Sequence, residues 1–174
     1  MHRWLRRGHW YDEPPMSAAL ITASVMSLVG LVVSFVLGYV AGTSDEIFRH
    51  ASLAFFVTML TLLAHSMIMF YLIGKGRAIK DAVADGGLDT DAVARVSALR
   101  GPVFKLAIVA MVLTMLTAII GGGVDTGVIP GGFHAMLAVL AVIANVMALR
   151  AIVDAFTRSS RIVEEVNRDL GVGV

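Results

Sequence analysis

The 174-residue chain has no cysteine, four prolines and only 16% charged residues. Without cysteine there is no disulfide framework, thiolate zinc site, iron–sulfur cluster or cysteine nucleophile. The shortage of charge excludes more. A soluble domain is about a quarter charged, and this chain has too few polar groups to wrap a core in water. A soluble enzyme, a nucleic-acid module and a disordered regulator are therefore excluded. The net charge of +1 holds nothing for a polyanion, so no nucleic-acid partner is expected. Hydrolytic signatures are missing too: there is no Ser-His-Asp order, no H-E-x-x-H and no carboxylate pair inside an apolar run. The chain is expected not to be an enzyme, beyond serving as a non-catalytic or electron-transfer subunit of one. Gly74-Lys75-Gly76-Arg77 lacks the Walker spacing and reads as the cationic, helix-breaking exit of an apolar run.

What is present is apolar: 57% of the residues, with a mean hydropathy of +0.82. A membrane-spanning helix needs about 20 such residues, and four runs qualify. They cover Met16–Ala41, Ile47–Ile73, Val103–Ile120 and Phe133–Val153. The first far exceeds the ~7–15 apolar residues of a signal-peptide core, and no A-x-A site follows it. An all-α four-transmembrane-helix bundle is expected, with the lipid bilayer as its first partner.

Lys and Arg gather beside the cytoplasmic ends of spans. Thirteen lie in the N-terminal arm, the middle connection and the C-terminal tail, against Arg49 alone on the other side. Both termini are therefore expected in the cytoplasm, for a multi-pass protein of the bacterial inner membrane. The domain reading follows. Residues 1–15 form an interfacial arm anchored by Trp4, Trp10 and Tyr11; 16–73 a first transmembrane hairpin; 74–102 a cytoplasmic connection; 103–153 a second hairpin; and 154–174 an amphipathic tail. Ile79, Val83, Val93 and Val96 keep helical spacing up to a break at Gly86-Gly87. Ile152, Phe156, Ile162, Val163, Val166 and Leu170 do the same beyond Arg150. These stripes suit either mutual packing or a grip on another subunit or a second copy.

The two hairpins read as an internal repeat. A shift of 84 residues lays His50-Ala51-Ser52-Leu53-Ala54 over His134-Ala135-Met136-Leu137-Ala138, Gly38 over Gly122 and Arg77 over Arg161. In such a bundle the second and fourth spans run parallel, so His50 and His134 lie at equal depth near the outer face. Each has an alanine one turn below, Ala54 and Ala138, leaving space for a flat macrocycle. Haem iron takes neutral imidazole ligands, and bundle cores hold cofactors between facing helices. The pair therefore points to b-type haem, with His50 and His134 as metal ligands and Ala54 and Ala138 lining the slot. A histidine-ligated chlorophyll fits the same pair, and so does the reading in which both rings merely cap helix entrances at the water interface.

His65 lies about 22 Å below His50, deep enough to be a functional candidate. It suits a second, inner cofactor completed by Met147 or a neighbouring subunit, or else a neutral histidine bonded to Thr61, Asn145 or a backbone carbonyl. The methionines lie mostly inside spans, as core filler rather than copper ligands. Gly30-x₃-Ser34-x₃-Gly38-x₃-Gly42 is a small-residue ridge for close helix packing. Three functions remain: an electron-transfer anchor or small b-type cytochrome subunit, a cofactor-free accessory subunit of a larger membrane complex, and a pigment-binding protein.

Overall fold

Inside hydrocarbon every backbone N–H and C=O must find its partner within the protein, which leaves helices as the solution for separate apolar runs. The computed structural model, described here for residues 14–171, is all-helical, and its four helices are each long and apolar enough to cross a membrane. They are α1 (Pro14–Val40), α2 (Ser44–Gly86), α3 (Asp91–Asp125) and α4 (Gly131–Asp169). The expected interfacial anchors Trp4, Trp10 and Tyr11 lie outside the described residues.

Local chemistry sets the ends. Thr43 opens α2 with a capping box: its hydroxyl accepts from the Glu46 N–H, and the Glu46 carboxylate accepts from the Thr43 and Gly42 N–H groups. At the other end Gly87 takes the left-handed conformation, with φ of 64°, and the Leu88 N–H reaches back to the Val83 carbonyl. Short connections make sequential helices antiparallel, so α2 and α4 run parallel. Helix α1 packs on α2 and α4, and α3 packs on the same two. The diagonal pair α1 and α3 does not meet, while α2 and α4 touch lightly across the centre.

Three of the helices are longer than their apolar runs. Gly74 and Gly76 were expected to end a span, yet α2 continues through both for three more turns. Gly76 lies under the Arg100 guanidinium of α3, where an added Cβ would come 3.3 Å from Cζ, while Gly74 meets nothing within 4 Å. Gly121, Gly122 and Gly123 likewise lie within α3, and Gly123 faces the Ile129 side chain of the returning turn, where an added Cβ would come 2.6 Å from Cδ1. Pro102 sits inside α3 at the passage from its polar first turns to its apolar run.

Large aliphatic side chains close the end away from the histidines. Leu20, Ile68, Leu72, Val103, Ile152 and Phe156 form one buried cluster drawing on all four helices. Beyond the start of α1, Ile79 and Val83 of α2, Val96 of α3 and Ile162, Val163 and Val166 of α4 form a second. The stripes read from the sequence thus pack on one another, as a three-helix extension of the bundle.

Candidate functional site

His50 lies in the second turn of α2 and His134 in the first turn of α4, at the same end of two parallel helices. Both rings are half-buried and turned toward each other across the diagonal of the bundle. Their centroids are 6.3 Å apart and their planes cross at 79°. The pairing expected from the repeated H-A-x-L-A runs is present. Ala54 and Ala138, one turn down, are partly buried on the same two stripes.

The neighbours on the preceding helices explain how the rings are held. His50 Nδ1 donates to the Ser34 carbonyl of α1 at 2.9 Å, and Ser34 Oγ lies 3.4 Å from the same nitrogen. A carbonyl can only accept, so this bond puts the proton on Nδ1 and leaves the lone pair on Nε2. The His50 ring rests on Gly38, where an added Cβ would come 2.6 Å from Cε1. His134 is placed similarly against α3: a Cβ on Gly121 would come 3.1 Å from its Cε1. The Thr117 carbonyl is nearby, but the buried His134 Nδ1 makes no hydrogen bond.

The small-residue ridge therefore faces α2. Gly30 lies against Val57, and Ser34 and Gly38 lie against His50. On α3 the residue opposite the histidine is Gly121, one position before the Gly122 that a constant shift of 84 selects. The turn between helices accounts for this: Gly38 and His50 are 12 positions apart, and Gly121 and His134 are 13. Taken this way, Leu20, Ser24, Ser27, Ser34 and Gly38 of α1 match Val103, Ala107, Ala110, Thr117 and Gly121 of α3. Val57, Thr61, Ala64, Ile68 and Leu72 of α2 match Ala141, Asn145, Ala148, Ile152 and Phe156 of α4, and all ten of these are buried.

Deeper in the bundle Asn145 bridges α4 to α3. Its Nδ2 donates to Thr114 Oγ1 at 3.1 Å and to the Ala141 carbonyl at 2.8 Å. His65 is 2% exposed, and its ring lies beside the Thr61 carbonyl one turn back on α2, without a bond of full hydrogen-bonding geometry to it. The side chains considered for it are engaged or point away, which leaves the backbone carbonyl. Asn145 is committed to Thr114, the Thr61 hydroxyl donates to the Val57 carbonyl, and Met147 is half exposed on the outer side of α4. Met147 is thus not placed to complete a site with His65.

A ring pair of this geometry suits a metal that needs two protein ligands. Zinc requires about four, with metal–imidazole bonds of about 2.0–2.1 Å, and among the described residues no group of three or more His, Cys, Asp or Glu is placed to hold an ion. Haem supplies four equatorial nitrogens itself and asks the protein for two. Two imidazoles are the donor set haem asks for, but the rings stand in edge-to-face contact with centroids 6.3 Å apart. Room for the macrocycle is not preformed, since Gly38 and Gly121 already lie against the imidazoles. Sequence reasoning found both histidines but missed Ser34 as the partner of His50 and Gly121 as the seat of His134. The interval from glycine to histidine in each half was the available signal. Comparison with protein-family models, with curated proteins and with solved structures finds no match to the chain.

Proposed function

We propose that the chain is a membrane-embedded electron-transfer subunit that holds a b-type haem between α2 and α4, with His50 and His134 as axial ligands. One observation carries the reading: two imidazoles from parallel helices face each other at 6.3 Å, and the Nδ1 of one is tied to a backbone carbonyl. In this arrangement His50 offers Nε2, Ser34 fixes its tautomer, and Gly38 and Gly121 let the rings reach inward. The haem supplies one-electron chemistry, with a potential set by its ligands and their surroundings. The apolar walls formed by Val57 and Ala141 below the rings keep water from that depth.

The same reading takes the two hairpins as repeats of one ancestral unit. It also places both termini and the three-helix extension on the cytoplasmic side, in keeping with thirteen basic residues there against Arg49. A reporter fused after Val174 and active only outside the cytoplasm would refute that orientation. The haem reading is tested on protein purified from cells supplied with haem. A low-spin absorption spectrum that is lost in both His50→Ala and His134→Ala supports it, and a colourless wild-type protein refutes it.

A second reading rests on the closed packing of the rings against Gly38 and Gly121. A bundle complete without a ligand suits a cofactor-free accessory subunit of a larger membrane complex. A colourless protein that purifies together with other membrane subunits supports this one. A histidine-ligated chlorophyll shares the imidazole chemistry, and the position of the absorption bands separates it from haem.

A further inference from the structure

Three surface arginines carry an acid one turn back on their own helix and pair with it: Arg49 with Asp45, Arg95 with Asp91 and Arg158 with Asp154. Arg100 of α3 has no carboxylate three or four positions away in either direction. Its guanidinium crosses the seam to α2 and covers the buried Gly76, where an added Cβ would stand 3.3, 3.4 and 3.6 Å from Cζ, Nη1 and Nε. Among the described residues its one hydrogen bond runs from Nη2 to Ser97 Oγ at 3.1 Å. A guanidinium has five N–H donors, so most of the fork is open to another acceptor. Lys80 lies one turn beyond Gly76 on the same face of α2, exposed and equally without an acid at helical spacing. Long helical side chains lean toward the N-terminus of their helix, which carries its ammonium back toward Gly76. Asp81, the nearest acid in sequence, points about 100° around the helix from Lys80.

Depth says what the acceptor is. The apolar run of α2 ends at Ile73 and that of α3 begins at Val103, three residues from Gly76 and from Arg100. Three residues of helix rise about 4.5 Å, and headgroups occupy about 5–7 Å on each side of the hydrocarbon. The guanidinium therefore stands at the level of lipid phosphates. Helix α1 packs on α2 and α4 and does not meet α3, so no fourth helix covers the outer side of this seam. We propose that the seam at Gly76 and Arg100 binds the headgroup of an anionic phospholipid, in the leaflet from which the three-helix extension emerges. Arg100 grips the phosphate oxygens through its fork, Ser97 orients the guanidinium, and Lys80 supplies a second positive charge. Ile73 and Ile108, both exposed and one or two turns inward on the same faces, flank the acyl chains. The site does not depend on the histidines or on what they hold.

The test uses the full chain in detergent micelles, titrated with phosphatidylglycerol and with phosphatidylcholine, and reads the affinity for the first bound lipid by native mass spectrometry. The wild type is expected to prefer phosphatidylglycerol. Arg100→Ala is expected to weaken the first phosphatidylglycerol about fivefold, the factor equal to about 1 kcal/mol for one basic residue at an anionic surface. Arg161→Ala removes the same charge from the exposed side of α4 and is expected to leave that affinity unchanged. A wild type without preference overturns the proposal, and so does equal weakening in the two variants, which would mean diffuse attraction with no site. Millimolar inorganic phosphate is expected not to displace the lipid; displacement would make free phosphate the occupant and overturn the lipid. Circular dichroism reports folding. If Arg100→Ala fails to fold, Lys80→Ala decides: weaker phosphatidylglycerol binding supports the site, and unchanged binding overturns it.

Discussion

The two ends of the bundle are built from different materials. Away from the histidines, Ile68, Leu72, Ile152 and Phe156 interlock from α2 and α4, and the three-helix extension repeats that packing with Ile79, Val83 and Val163. At the histidine end the inward positions are Ser34, Gly38, His50, Gly121 and His134, and no large aliphatic cluster closes over them. Lipid tails are as apolar as leucine, so helices in a membrane gain little from hiding side chains and associate through packing and polar contacts instead. The aliphatic end supplies packing. The histidine end uses its close helix approaches to seat two imidazoles against Gly38 and Gly121.

The sharpest way to break this contrast is Gly38→Leu. Even a single Cβ there meets the His50 ring at 2.6 Å, so a branched side chain must part α1 from α2 or expel the imidazole. The expected result is a lower thermal midpoint in detergent together with loss of any haem signal. Unchanged stability would mean that α1 does not pack as described. Next is Ile152→Ala, fully buried in the aliphatic cluster. Core truncations of this kind cost about 2–5 kcal/mol in water, and the lower part of that range is expected where lipid replaces water as the reference. The haem signal should survive; its loss would tie the two ends together.

His65→Leu probes the middle of the bundle and has the opposite sign. The His65 ring is desolvated with only the Thr61 carbonyl beside it, and burying a poorly satisfied polar group costs about 1–3 kcal/mol, so the variant is expected to unfold at a higher temperature than the wild type. A lower midpoint would reveal that His65 has a partner in the working protein. The smallest effect is expected at Arg95→Ala. This residue pairs with Asp91 and Glu165 on the surface of the extension, and exposed pairs contribute little and are screened by salt. Its unfolding midpoint should match the wild type in 0.5 M salt (roughly five times the ionic strength at which the Debye length is about 10 Å). A persistent loss would make the extension a larger contributor than its exposure suggests.

Much of the architecture was legible because membranes simplify the reading. Four separate apolar runs of spanning length point to helices, and the stripe of Ile79, Val83, Ile162, Val163 and Val166 marked an apolar face at helical spacing without deciding what would cover it. The helix ends were less legible. Glycine usually breaks helices in water, whereas at Gly76, Gly121 and Gly123 it makes room for side chains arriving from elsewhere in the fold, which a single strand of sequence does not display.

By itself the sequence determined that the chain forms four helices long and apolar enough to cross a membrane and carries a repeated histidine motif. Hydropathy and periodicity are local properties, and they decide which segments form helices and which positions share a face. Only the tertiary structure decided that the two rings meet across the diagonal, that Ser34 rather than a residue of α2 anchors His50, and that Gly121 instead of Gly122 seats His134. It also set the buried His65 beside the Thr61 carbonyl rather than a side chain. These depend on the rotation and register of one helix against another. A turn longer by one residue shifts that register and leaves the composition of every helix unchanged.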